Sequence, residues 1–243
     1  MKVLSIDFDY FQKVSKETLE RYPDGIDQPT EISEMIWGCR YSDERSAADL
    51  QKVSIMNDEF EKMKDILRYQ KADIPVMIAN SHKHAYDFIH SNVPIGNKLF
   101  VANVDMHHDI YNDNKELDCG NWLRFIQQEY GAGFMWICNP VSKDVYGFTD
   151  KDVSDKKRTL SEMLPESLDI LSERQFDMVF LCRSDIWTPP HLDDKFTELC
   201  DVMKKHFNEI MIENGITKPR AYKKYVNMFN DIKIKGKELY GHE

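Results

Sequence analysis

The sequence predicts an α/β domain of three layers, a mostly parallel sheet with helices on both faces. Two observations carry this expectation. Short apolar runs rich in β-formers recur between longer amphipathic stretches, the pattern of buried strands alternating with covering helices. The chain has 243 residues with 42% hydrophobic and 12% aromatic content, enough for one large core, so residues 1–243 read as a single domain with C-terminal helices from about 191.

In order along the chain, strands are expected at residues 2–8, 74–79, 98–104, 133–138 and 176–182. The runs VLSIDF, LFVANV and MVFLC are too short for buried helices. Between the first two strands, Met56, Phe60, Met63, Ile66 and Leu67 share one face of a helix over 55–69. Its methionines are core filler. A second helix is expected over 122–129, and a long one from about Leu192 to Glu213 after Pro189-Pro190. Gly215 then separates it from a last, basic helix over 218–234. Residues 24–43 and 141–155 read as polar loops.

Composition removes several classes of function. With 32 basic and 42 acidic side chains the formal charge is −10, which points away from a phosphate-binding surface. No aromatic stacking platform or base-reading motif accompanies the basic tail, Lys218 to Lys237, so it reads as a solvated helix face and not as a nucleic-acid site. Asp7 and Asp9 interrupt the apolar opening, unlike a secretory signal, and no run approaches the roughly 18 apolar residues of a membrane span. A cytoplasmic protein is expected. The cysteines, five in number and with no C-x-x-C pair, suggest neither a disulfide framework nor a thiolate zinc cage.

Chemistry is written at the ends of three apolar runs. The third strand runs into Asp105-x-His107-x-Asp109, and alternation along an extended chain puts these side chains on one side. Asp7-x-Asp9 ends the first strand among Ile6, Phe8, Tyr10 and Phe11, where an unpartnered carboxylate would be costly. The second strand delivers His82 and His84. Carboxylates and imidazoles at the carboxyl ends of parallel strands suit a ligand site, and this set exceeds what one structural zinc requires. It suits two divalent ions with mixed oxygen and nitrogen donors, such as Mn²⁺.

These residues resemble a known superfamily. His82, Asp105/His107/Asp109 and Ser5-Ile-Asp7-Phe-Asp9 are similar to the His, D-x-H-x-D and S-x-D-x-D motifs that hold two manganese ions in arginases and related ureohydrolases. Here S-x-D-x-D opens the chain, as if the fold were circularly permuted. That order, with D-F-D-Y-F, S-H-K-H at 81–84, C-G-N-W at 119–122 and R-S-D-I-W-T-P-P at 183–190, resembles the peptide arginase family over residues 1 to about 190.

The resemblance implies an arginase/deacetylase-like fold and two Mn²⁺ ions. It implies conversion of arginine to ornithine in a ribosomally made precursor peptide, with or without a leader, urea being released by a hydroxide activated between the ions. Asp105 and Asp7 would bridge or face both ions, His82 and Asp109 would complete one, and His107 and Asp9 the other, with His84 an alternative to His82. Asp109 or Asp9 would orient the nucleophile. Asn121, beside Gly120, would contact substrate. The proton-transfer histidine of arginases falls at Leu123, so His84, His108 or His191 would have to serve. For the acid that holds the guanidinium the candidates are Asp185, Glu31 and Asp43, in that order. Arg183 is either a substrate anchor or a salt-bridge partner. Trp187 sits beside the site, whereas Trp37, Trp122 and Trp136 read as core.

Rival readings are a ureohydrolase of free arginine or agmatine, a zinc deacetylase sharing the D-x-H-H of Asp105 to His108, and a non-catalytic scaffold of the same fold. Assembly into a homo-oligomer is left open by the sequence.

Overall fold

A computed structural model describes residues 1–23, 27–111, 114–147, 167–213 and 215–240. In chain order its elements are β1 (Lys2–Asp7), β2 (Gln12–Lys13), α1 (Lys16–Leu19), α2 (Thr30–Ser42), α3 (Glu44–Leu50), β3 (Ser54–Ile55), α4 (Asn57–Tyr69), β4 (Val76–Ala79), α5 (His84–Asn92), β5 (Phe100–Asp105), α6 (Trp122–Tyr130), β6 (Gly133–Cys138), α7 (Ser142–Val145), β7 (Met178–Cys182), α8 (Asp193–His206), β8 (Met211–Ile212) and α9 (Tyr222–Tyr240). Six strands form one parallel sheet in the order β6-β5-β1-β7-β4-β8, and β2 and β3 form a small antiparallel ladder.

Strand alternation splits the core into two layers. Leu4, Ile6, Ala102, Val104, Val179 and Leu181 face α4 and α8, meeting Phe60, Met63, Phe196 and Leu199. Val3, Val101, Met178 and Phe180 face α5 and α6, meeting Phe88, Ile89, Trp122 and Ile126. Helices therefore cover both faces of an all-parallel sheet, the three-layer α/β/α arrangement.

The connections create the crevice that the chemistry uses. The chain leaving β1 next enters this sheet at β4 on one side, whereas the chain leaving β5 enters it at β6 on the other. Such a divergence opens a cleft at the carboxyl ends of the two adjacent strands. The register sets Ile6 beside Val104, so Asp7 and Asp105 leave the sheet side by side at that cleft.

Several expected boundaries move. Residues 30–42 of the expected first loop are helix α2, which buries Ser33, Trp37, Gly38 and Tyr41 at helical spacing. In the second loop, Ser142–Val145 is a helical turn, and 148–155 lie outside the described residues. The long helix stops at His206, because the chain then turns to add Met211–Ile212 as an edge strand beside β4. The last helix starts at Tyr222, after Pro219, and runs to Tyr240. Arg220 is not part of a solvated face; it is buried in ion pairs. Among the described residues no helix is long and apolar enough to cross a membrane.

Candidate metal centre

Six of the donors singled out at the three strand ends are buried at the cleft, and His84 is not among them. Asp7, Asp9, His82, Asp105 and Asp109 are at most 2% exposed and His107 is 8% exposed. Their ligand atoms form compact groups within 4.8 Å: Asp9 with Asp105 and His107, His82 with Asp105 and Asp109, and Asp7 with His82 and Cys182. Asp105 belongs to two of these groups and stands between them. The groups could hold metal ions.

Local hydrogen bonds set each carboxylate. β5 ends at Asp105, so a turn, and not continued strand alternation, gathers the D-x-H-x-D side chains. Asp105 Oδ1 accepts the His107 N–H at 2.7 Å, and Asp9 Oδ1 accepts the Met106 N–H at 3.0 Å. Asp7 Oδ1 accepts the Asp9 N–H at 3.0 Å, curling the chain out of β1. Asp109 has φ of 56°, the left-handed region that Asp tolerates better than most residues. Its carbonyl accepts the N–H groups of Leu123 and Arg124 at the start of α6, and its Oδ2 accepts Trp122 Nε1–H at 2.5 Å.

His82 is held from behind and aimed forward. Its Nε2 shares a 2.6 Å hydrogen bond with the Ser5 hydroxyl. Its Nδ1 lies 2.9, 3.0 and 3.3 Å from carboxylate oxygens of Asp109, Asp105 and Asp7, yet is aligned for a hydrogen bond with none of them. A nitrogen converging on three carboxylates in this way has the geometry of a shared cation position, and the outer bond from Ser5 is how ligating imidazoles are oriented. Asp9 Oδ2, another buried atom without a hydrogen bond, faces His107 Nδ1 at 3.1 Å.

The electrostatics show how much positive charge this cluster demands. Burial and the neighbouring carboxylates Asp7 and Asp105 push Asp9 well above the ordinary carboxylate range, and burial with Asp105 does the same to Asp109. Asp105, despite its burial, is held well below that range by His107 and His82. Burial alone would lower both imidazoles; the carboxylates outweigh it and raise His82 and His107 well above the usual histidine value.

Above the cluster lies a pocket of about 240 Å³ whose walls include Tyr111, Asp118, Cys119, Gly120, Ser184 and Trp187. Among the described residues no Lys or Arg lines it. Trp187 packs on the His107 ring with centroids 4.8 Å apart, and Tyr146 covers the same ring at 4.3 Å. Gly120 has no side chain because one would meet the Tyr111 ring, 3.1 Å from the position of a Cβ.

Other singled-out residues stand elsewhere. His108 is buried against Tyr111 and Trp136 and His84 opens α5, and neither lines the pocket. His191 binds the Tyr41 hydroxyl and the Val53 carbonyl. Leu123 is core. Asn121 staples its own loop, accepting from the Asp118 N–H and donating to the Glu116 carbonyl, so both ends of its amide are engaged without substrate. Asp185 and Arg183 pair with each other, at 2.5 and 3.1 Å, and Arg183 also reaches the Ile216 and Lys218 carbonyls. Neither is left to grip a ligand; of the two roles open to Arg183, the structure has it in a salt bridge. Glu31 is exposed on α2, and Asp43 caps α3 by accepting the Ser46 N–H. Tyr111 and Asp27 carry no motif that would have singled them out, and Ser184 stands in R-S-D-I-W-T-P-P with no role of its own assigned from sequence. Asp27 is half-buried, and its carboxylate bonds the Ser81 hydroxyl and the Cys119 thiol, both neutral. Burial pushes its pKa up.

Compared with protein-family models, curated proteins and solved structures, the chain gives no match.

Proposed function

We propose that this chain is a dimanganese ureohydrolase of the peptide arginase type, cleaving the guanidinium of arginine residues in a peptide to leave ornithine and release urea. The observation that carries the reading is the shared donor set: Asp105 stands in two groups of buried ligands, each completed by an imidazole and a second carboxylate. Four buried carboxylates, Asp7, Asp9, Asp105 and Asp109, are balanced in charge by two divalent ions. The oxygen-rich, two-imidazole set suits Mn²⁺.

Bound divalent ions supply Lewis acidity and lower the pKa of water toward neutrality. The chain's own residues would do the rest. Trp187 and Tyr111 offer ring faces to a flat cation and an apolar wall to its aliphatic stem. Asp27, bonded to the wall residue Cys119 and without a basic hydrogen-bonding partner, is better placed than Asp185 to draw in the guanidinium. Water oxygen joins the guanidinium carbon, the bond from that carbon to the side-chain nitrogen breaks, and the departing amine takes a proton. Ser184, Tyr111 and Asp118 are protic groups of the pocket wall available to relay it. A peptide-borne arginine suits walls whose described residues include Asp118 and no Lys or Arg, because free arginine would bring a carboxylate there.

The test is metal content per chain, paired with mass spectrometry of an arginine-containing peptide, free arginine and agmatine. About two manganese ions and an arginine-to-ornithine mass change in the peptide are expected. Asp105→Asn and Asp7→Asn should lose both metal and activity while keeping the fold, and full activity in either sinks the assignment. One observation favours a second reading: Cys182 stands with Asp7 and His82, a set with a soft donor. One zinc per chain with no urea would select that zinc-hydrolase alternative.

A further inference from the structure

The segment after β7 carries Ser184 and Trp187 to the pocket, where Trp187 packs on the His107 ring. Ser184 has φ of 55°, a conformation that persists in a non-glycine residue only when its surroundings fix it. The Asp185 N–H donates to the Asn80 carbonyl, Ser33 and Trp37 donate to the Asp185 carbonyl and Gln12 donates to the Trp187 carbonyl; the chain beyond Gly215 adds a clamp. Arg220, fully buried, donates through Nη1 to the Asp185 carbonyl and through Nη2 to the Thr188 carbonyl at 2.7 Å, so it clamps the main chain on both sides of Trp187. Asp193 orients it, with Nη2 at 2.6 Å and Nε at 3.0 Å from its carboxylate. Arg183 ties the same segment to the Ile216 and Lys218 carbonyls at 3.0 and 2.9 Å.

We propose that Arg220 is a positioning residue, setting the height of the Trp187 wall over the metal cluster. A buried ion pair serving stability alone needs no bonds to carbonyls flanking a pocket residue; a planar fork with several donors is what such a clamp requires. Lysine keeps the charge and loses the fork. The inference rests on the pocket being the substrate site proposed above.

The experiment places 5-fluorotryptophan at the four tryptophans and reads Arg220→Lys by ¹⁹F NMR, with Trp187→Phe assigning the signal. The Trp187 resonance should move while those of Trp122 and Trp136 stay. KM for the arginine peptide should rise roughly 10–100-fold, with kcat within about 3-fold and metal content unchanged. An unmoved Trp187 signal in the folded variant overturns the proposal, as does a parallel loss of kcat and metal. Should Arg220→Lys not fold, Asp193→Asn, which removes the orienting charge, is read by the same signals. If the unaltered protein releases no urea, the proposed function fails while the ¹⁹F shift still decides whether Arg220 positions the wall.

Discussion

His82 divides its two nitrogens between the sheet and the site, and that division depends on Ser5. The hydroxyl at 2.6 Å from Nε2 fixes the ring so that Nδ1 meets the carboxylates of Asp7, Asp105 and Asp109. Trp122 plays the same part for Asp109 through its indole N–H. Outer partners of this kind control metal affinity far more than stability. Ser5→Ala and Trp122→Phe are each expected to weaken Mn²⁺ binding roughly 10–100-fold in calorimetric titration, with the folded state retained. Tight binding in both would mean that Nδ1 and Asp109 are positioned without them. The candidate metal donors were legible because Asp and His at apolar strand ends break a strong pattern. Tyr111, Ser184 and Asp27 break none, and the place of the first two at the pocket comes from turns that only tertiary contacts define.

Helix α2 was unreadable for a related reason. Its inner face is Ser33, Trp37, Gly38 and Tyr41, too polar and too small for a hydrophobic stripe. Gly38 is there because α9 crosses closely: a Cβ would stand 2.3 Å from that of Tyr225 and 3.1 Å from the Tyr222 carbonyl oxygen. Gly38→Ala should therefore push α9 outward and cost about 1–3 kcal/mol in urea unfolding. A variant of unchanged stability would show that α9 yields without loss. The strand β8 escaped notice because it has two residues, Met211 and Ile212, both exposed at a sheet edge in a polar stretch. By contrast β6 was read to its ends, since Gly133 and the residue after Cys138 bound an unbroken apolar run.

At the scale of the molecule, the site is a concentration of like charge inside the fold. Asp7, Asp9, Asp105 and Asp109 are all buried at one edge of the sheet. A cation that binds only the folded chain stabilises it by mass action, by about 2.7 kcal/mol at a hundred times its dissociation constant. For a chain of this size that corresponds to a rise in Tm of roughly 5–10 °C, expected on adding Mn²⁺ to chelator-treated protein and absent in Asp105→Asn. An equal rise in the variant would place the stabilising ion elsewhere.

The central place of β1 also governs when the site can come into being. Its Val3 pairs with Met178, 178 − 3 = 175 positions later, and its Lys2 with Phe100. A ribosome releases the amino-terminal end first, so Asp7 and Asp9 emerge early and wait for strands made much later before they have neighbours. Any ion this cluster holds would therefore be bound only after β7 has been made and paired with β1.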